Sequence, residues 1–262
     1  MANIAQLVER QIVALDAVGS NPAIRPIFGQ VVTMLIEVFG PAGAGKSFLL
    51  DKLADKVKNV IFPRQLCNKK KLKSLINAIP ASYEYKTDLS DFIIFCIDSI
   101  NHSSMSSEQK TNAMTIVKNC YNAYLNVRKL DKYGYVVMSD ELLLHRSLSF
   151  LMYSDNLEKD TVKFFQLAPL PDVVCIFSSK EEIIKKRTLM RPYIPNCYSV
   201  NSEEEFDEVI RKAVQICKIG EETLKERGID VTYIDLSDNL ENTVERLVTF
   251  LDKKINQHAA VA

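Results

Sequence analysis

The run Gly40-Pro41-Ala42-Gly43-Ala44-Gly45-Lys46-Ser47 satisfies the pattern G-x-x-x-x-G-K-[ST], and the chemistry suited to it is the holding of a polyphosphate. Glycine lets main-chain N–H groups approach phosphate oxygens with no Cβ between them, and a helix that starts at the loop adds the positive end of its dipole. On this pattern Lys46 reaches the β- and γ-phosphates and the Ser47 hydroxyl takes one position on Mg²⁺. The nucleotide-binding residues are then Gly40 to Ser47 together with Phe48. The chain has only eight glycines and three of them, Gly40, Gly43 and Gly45, fall within six positions, so the cluster is no accident of composition.

Other groups could complete the chemistry. Asp140-Glu141 ends an apolar run, where Asp140 can serve Mg²⁺ or an acceptor and Glu141 can act as a base. Water activation in a hydrolase is the competing role for the pair, and an acidic helix cap is the plain structural alternative. Arg187 and Arg191 stand four apart on a segment that breaks at Pro192, a spacing that turns both guanidiniums to one side, towards a migrating phosphoryl group. Lys180, Lys185 and Lys186 share that segment, and a solvated basic face is the plainer account of them. Arg64, after a short apolar run, and Arg146 are expected to contact the acceptor, and His145 beside Arg146 could face the same pocket or simply be packed. The lysines of Lys69-Lys70-Lys71-Leu72-Lys73 fit a solvated surface or an aid in holding an anion.

These groups need elements to position them. Val31–Phe39 is β-branched and apolar enough for a buried strand, and Leu49, Leu50, Leu53, Ala54 and Val57 place one apolar face on the helix after the loop. Asn59–Pro63, Tyr133–Ser139, Pro171–Phe177 and Val231–Leu236 read as further strands. Between them, residues from about Leu89 to Leu130 and the segment Leu142–Met152 read as helical, and Leu240, Val244, Leu247, Val248 and Leu251 form the face of a closing helix. Ser178 and Ser179, three residues before Glu181 and Glu182, and Ser202 before Glu205 predict two capping boxes. Alternating strands and helices predict a three-layer αβα phosphate-loop NTPase fold, with a five-stranded parallel sheet and ligands at the carboxyl ends of its strands.

Composition agrees with one α/β domain: 262 residues, 47% hydrophobic and 25% charged. Lys+Arg and Asp+Glu both count 33, so no global positive field is available to hold nucleic acid. No apolar stretch approaches the roughly 18–20 residues of a membrane span. The six cysteines form no CxxC pair, as expected of reduced thiols in the cytoplasm.

The first thirty residues read differently. Back-translated, Ala5-Gln6-Leu7-Val8-Glu9 matches the D arm of a bacterial tRNA gene and Gly19-Ser20-Asn21-Pro22 its T arm, at the 14-codon separation of those arms. Residues 1–30 are therefore expected to be a tRNA-gene-derived extension without function, with the native start nearer Met34; an amphipathic helix from Ile4 to about Val18 is the alternative.

With these residues laid out, the chain resembles the P-loop kinases of the nucleoside monophosphate and thymidylate kinase type, from about Met34 to Leu251. The likeness rests on Gly40–Ser47, on Arg64 after the second strand, on Ser139-Asp140 after the third, and on Pro171-Asp172-Val173-Val174 leading to Arg187 and Arg191. It departs from the family where Asp140-Glu141-Leu142 replaces Asp-Arg-aromatic and where Gln65-Leu66 follows Arg64. The resemblance implies a kinase-like domain over 31–262, with a helical acceptor-side insert at about 65–130, a lid-like segment at about 180–200, and an adenine-side segment near Leu236–Asn239. It implies ATP and Mg²⁺ as cofactors and a small-molecule phosphoacceptor, a nucleotide among the candidates, with a homodimer as one expected assembly. A hydrolysing switch that drives a partner is the competing function.

Overall fold

The computed structural model describes residues 34–57, 60–62, 89–131, 136–140, 142–237 and 240–261. The extension 1–30, Arg64, Lys69–Lys73 and Glu141 lie outside the described residues. Five strands, β1 (Met34–Phe39), β2 (Val60–Ile61), β3 (Val136–Ser139), β4 (Val173–Ser178) and β5 (Asp230–Asp235), form one parallel sheet in the order β2-β3-β1-β4-β5. The helices are α1 (Lys46–Lys56), α2 (Ser90–His102), α3 (Ser107–Asp131), α4 (Ser147–Phe150), α5 (Leu157–Leu167), α6 (Glu181–Leu189), α7 (Glu203–Glu226) and α8 (Leu240–Val261). This is the three-layer α/β fold expected.

The layers follow from strand alternation. Met34, Ile36 and Val38 of β1 pack on one side with Leu49, Leu50 and Leu53 of α1 and with Val244, Leu247 and Leu251 of α8. Each such fully buried leucine contributes about 1.5–3 kcal/mol relative to exposure. Leu35 and Phe39 point to the other side, into a larger core shared with α2, α3, α5 and α7. There Phe164 of α5 is ringed by Phe92, Phe150 and Phe165 at centroid distances of 5.2, 5.9 and 5.2 Å. At the start of β1, Asp172 accepts the Leu35 N–H at 2.6 Å and pairs with Arg128 of α3 at 3.3 Å, which locks β1 to the entrance of β4. Because β3 and β4 flank β1 on opposite sides, the crevice above the carboxyl end of β1 is the switch point where such sheets bind ligands.

Three expectations change in detail. The 89–130 region is two helices, α2 and α3. The expected helix Leu142–Met152 is instead a chain of short pieces, 3₁₀ turns at Leu144–Arg146 and Leu151–Tyr153 around α4. Nearly every residue there is buried, so no polar face faces water, and the tighter i→i+3 bonds Arg146 N–H to Leu143 O and Ser154 N–H to Leu151 O shape the chain. The first capping box does not form: β4 continues through Ser178, which pairs with Asp235, and Ser179 Oγ lies 2.9 Å from Ser237 Oγ. Ser202 does cap α7, accepting the Glu205 N–H at 3.1 Å.

Candidate functional site

The loop between β1 and α1 takes positive φ at Gly40, Gly43 and Gly45, and at the first two a side chain would also clash. Gly40 has φ 154° and a Cβ there would sit 1.8 Å from the Phe177 carbonyl oxygen of β4. Gly43 has φ 83°, and its Cβ would meet Thr188 Oγ1 at 2.3 Å and Ile184 O at 2.5 Å on α6. The loop is thus pressed between β4 and α6, with its concave side left to the start of α1, where first-turn N–H groups have no intrahelical acceptor. Side chains brace it from outside. Thr188 Oγ1 donates to Ala42 O at 3.0 Å, and Arg187 donates to Ala44 O at 3.2 Å and to Leu236 O at 3.4 Å. The Ala42 N–H donates to the Tyr198 hydroxyl at 3.1 Å.

Lys46 is only 8% exposed, and its Nζ donates to Gly40 O at 2.6 Å and Pro41 O at 2.8 Å. Burial pulls its pKa down to about 8, against the carboxylate of Asp140, which favours the charged form. Asp140, at the end of β3, is buried as well. Lys46, Ser47 and Asp140 border one cavity of about 300 Å³. Its opposite wall comes from three places: Gln109, Asn112 and Ile116 of α3; His145, Arg146 and Ser149 of the broken segment; and Arg191, Tyr193, Asn196 and Tyr198 beyond α6. Burial, and after it the neighbouring cations Lys46, Arg146 and Arg191, hold the His145 imidazole well below its ordinary pKa. It therefore meets the cavity as a neutral ring near pH 7.

The expected residues accordingly divide. Lys46, Ser47, Asp140, Arg146 and Arg191 share the cavity; Arg187 does not line it. The two arginines diverge because α6 ends at Leu189, and Arg191 lies in the following turn, its N–H bonded to Thr188 O. Phe48 is 56% exposed, with Lys52 Nζ 5.9 Å from its ring centroid. Arg64 and Glu141 lie outside the described residues. Sequence reasoning passed over Gln109, Asn112, Tyr193 and Tyr198, which look like ordinary helix-surface and loop residues. It also passed over Glu37, wholly buried in β1, whose signal was a lone carboxylate within an apolar strand.

The residues present suit a nucleotide with its metal. A glycine cradle that a Cβ would fill, a buried lysine at its mouth, and a hydroxyl and a carboxylate on the same cavity make a donor set that would suit Mg²⁺ shared with phosphate oxygens. Among the described residues no cluster of three or more His, Cys, Asp or Glu forms a metal cage, and no helix is long and apolar enough to cross a membrane.

Sheet order and loop together define a three-layer α/β fold with a phosphate-loop motif at its switch point. The chain is similar in structure to the thymidylate kinase of Candida albicans, with a TM-score of 0.53 over 87% of this chain and 94% of that one, at 14% identity. Two structures of deoxyadenosine kinase from M. mycoides are also similar. One, with the products dCMP and dCDP, has a TM-score of 0.44 and 14% identity over 84% of this chain and 100% of that one. The other, with dATP, has a TM-score of 0.44 and 16% identity over 84% and 99%. No family model and no curated protein matches the chain. At 14% identity the likeness to the thymidylate kinase establishes the fold alone.

Proposed function

We propose that the protein is an ATP- and Mg²⁺-dependent phosphotransferase of the nucleoside monophosphate kinase-like type, moving the γ-phosphoryl group to a small-molecule acceptor, with nucleotides the first class to test. The observation that carries this is the single cavity in which Lys46, Ser47 and Asp140 face Arg146 and Arg191. A donor pocket with a second, cation-lined wall opposite it suits transfer between two bound molecules.

In this reading the loop amides and Lys46 would hold the donor's phosphates, and Ser47 and Asp140 would hold Mg²⁺, which when bound would supply positive charge to the phosphate oxygens. The acceptor oxygen would form a bond to the γ-phosphorus as the bond to the β–γ bridging oxygen breaks, ADP leaving with that electron pair and the proton of a hydroxyl acceptor passing to the proposed base Glu141. Arg146 and Arg191 oppose the charge on the equatorial oxygens, and the buried Tyr198 with Ile116 restricts water. Arg187 holds the loop's backbone instead of the migrating group. Glu141 remains the proposed base and Arg64 a proposed acceptor contact. The five described cysteines are all free, which suits a reducing cytoplasm.

Incubation with γ-labelled ATP, Mg²⁺ and a panel of nucleosides, nucleotides and sugars tests the proposal. Label on one acceptor supports it. Release of labelled phosphate with no labelled acceptor replaces it with the hydrolysing switch, and full turnover by Lys46→Ala refutes the donor assignment.

A further inference from the structure

The middle of β1 carries an ionisable group where the strand's own pattern calls for a hydrocarbon. Leu35, Glu37 and Phe39 alternate on one face of β1, all three wholly buried, with Ser139 of β3 and Val174 of β4 as the register neighbours of Glu37. A buried carboxyl is costly unless hydrogen bonds satisfy it, so its presence at this position calls for a task. Its Oε1 accepts the backbone N–H of His145 at 3.2 Å. Its Oε2 is buried and has no hydrogen-bond partner among the described residues.

The backbone so held is the 144–146 turn, which presents His145 and Arg146 to the cavity. A continuous helix would fix such side chains by its own ladder of hydrogen bonds, but the chain here is a broken series of short turns. The sheet supplies the missing constraint. His145 Nδ1 and Arg146 Nε are buried without a partner among the described residues, and Lys46 and Arg191 border the same space. Polar groups left unmatched beside three cations are set for an anionic guest.

We propose that Glu37 is a positioning residue: anchored in β1, its carboxyl pins the 144–146 turn and so aims the His145 ring and the Arg146 guanidinium at an anionic group of the bound substrate. This rests on the kinase reading for what enters the cavity, but the pinning itself does not. Burial pushes the Glu37 pKa up to about 8, so near pH 7 the acid is mainly neutral and holds the turn without adding negative charge beside the phosphates.

The chain has three histidines, His102, His145 and His258, so the His145 ring can be followed by NMR in the full-length, histidine-labelled protein. Titration with inorganic phosphate should move the His145 ring signals in the wild type and equally in Glu37→Gln, which keeps the accepting oxygen. In Glu37→Leu, or Glu37→Met should the leucine variant not fold, the phosphate midpoint should rise about tenfold or more. The ring pKa should also climb towards 6.5, while thermal stability is kept or raised. An unchanged midpoint and ring titration in a folded apolar variant would overturn the proposal, as would a wild-type ring that ignores phosphate. A second measurement needs no variant: fast hydrogen exchange at the His145 amide of the wild type overturns it, and protection supports it. Calorimetry with Mg–ATP on the same samples separates the two ideas, since absence of heat defeats the kinase reading while the histidine signals still decide the role of Glu37.

Discussion

The loop 40–47 and the wall that faces it across the cavity are built by opposite means. The loop is contiguous in sequence and works through its main chain, with Gly40 and Gly43 wedged against β4 and α6 where no side chain fits. The wall works through side chains drawn from α3, the 144–149 segment and the stretch beyond α6, which meet only when the chain folds. Strand β1 serves both: it ends in the loop and its Glu37 holds the wall's central turn. The contrast teaches that a loop substitution should act through backbone geometry, and a wall substitution through the chemistry of the group removed.

The sharpest test of that division is Lys46→Ala, which should reduce phosphoryl transfer from labelled ATP by about a thousandfold or more while the fold is kept. Gly40→Ala should act through the backbone, lowering stability by more than about 3 kcal/mol in denaturant melts and abolishing Mg–ATP heat in calorimetry. The paired arginines come next. Arg191→Ala should lower kcat about a hundredfold with the ATP KM little changed, and Arg187→Ala should raise the ATP KM about tenfold with a smaller loss of kcat. The reverse pattern would erase the distinction between loop and wall.

A pH series isolates the link between them. Glu37 keeps a proton in the folded protein that the unfolded chain releases above pH 4.5, so its contribution to stability is complete below that pH and is lost as pH rises through about 8. The slope from this group should be about 1 kcal/mol per pH unit, and Glu37→Gln should remove it. Arg146 and Arg128, together with the Leu144 and His145 amides, favour ionisation and limit the effect. The smallest expected change is for Thr188→Val, which loses the bond to Ala42 O and should cost about 0.5–1.5 kcal/mol in the same melts.

What could be read in advance follows the same contrast. The loop, its flanking strand and helix, and the closing face Val244, Leu247 and Leu251 are periodic or local features, and they stand in the structure as expected. Arg146 is legible because it follows closely on Asp140-Glu141, and Arg191 because it stands four residues after Arg187. Gln109 and Asn112 are not, because an amide on a 25-residue helix carries no local sign that it faces a cavity. Arg187 and Arg191 were paired by helical spacing, and the end of the helix between them, at Leu189, undoes that geometry. Glu37 was passed over as an interruption in an apolar run, since period-2 patterning locates a buried face but says nothing of a turn more than a hundred residues away that lands on it.

The hydroxyl of Tyr198 ties the two halves together by taking the Ala42 amide hydrogen. Any motion that carries the Pro195–Tyr198 stretch outward must strip that amide of its acceptor. Entry to the cavity and the tension of the glycine loop are therefore mechanically joined at one phenol, and a fluorophore on neighbouring Asn196 would report both at once.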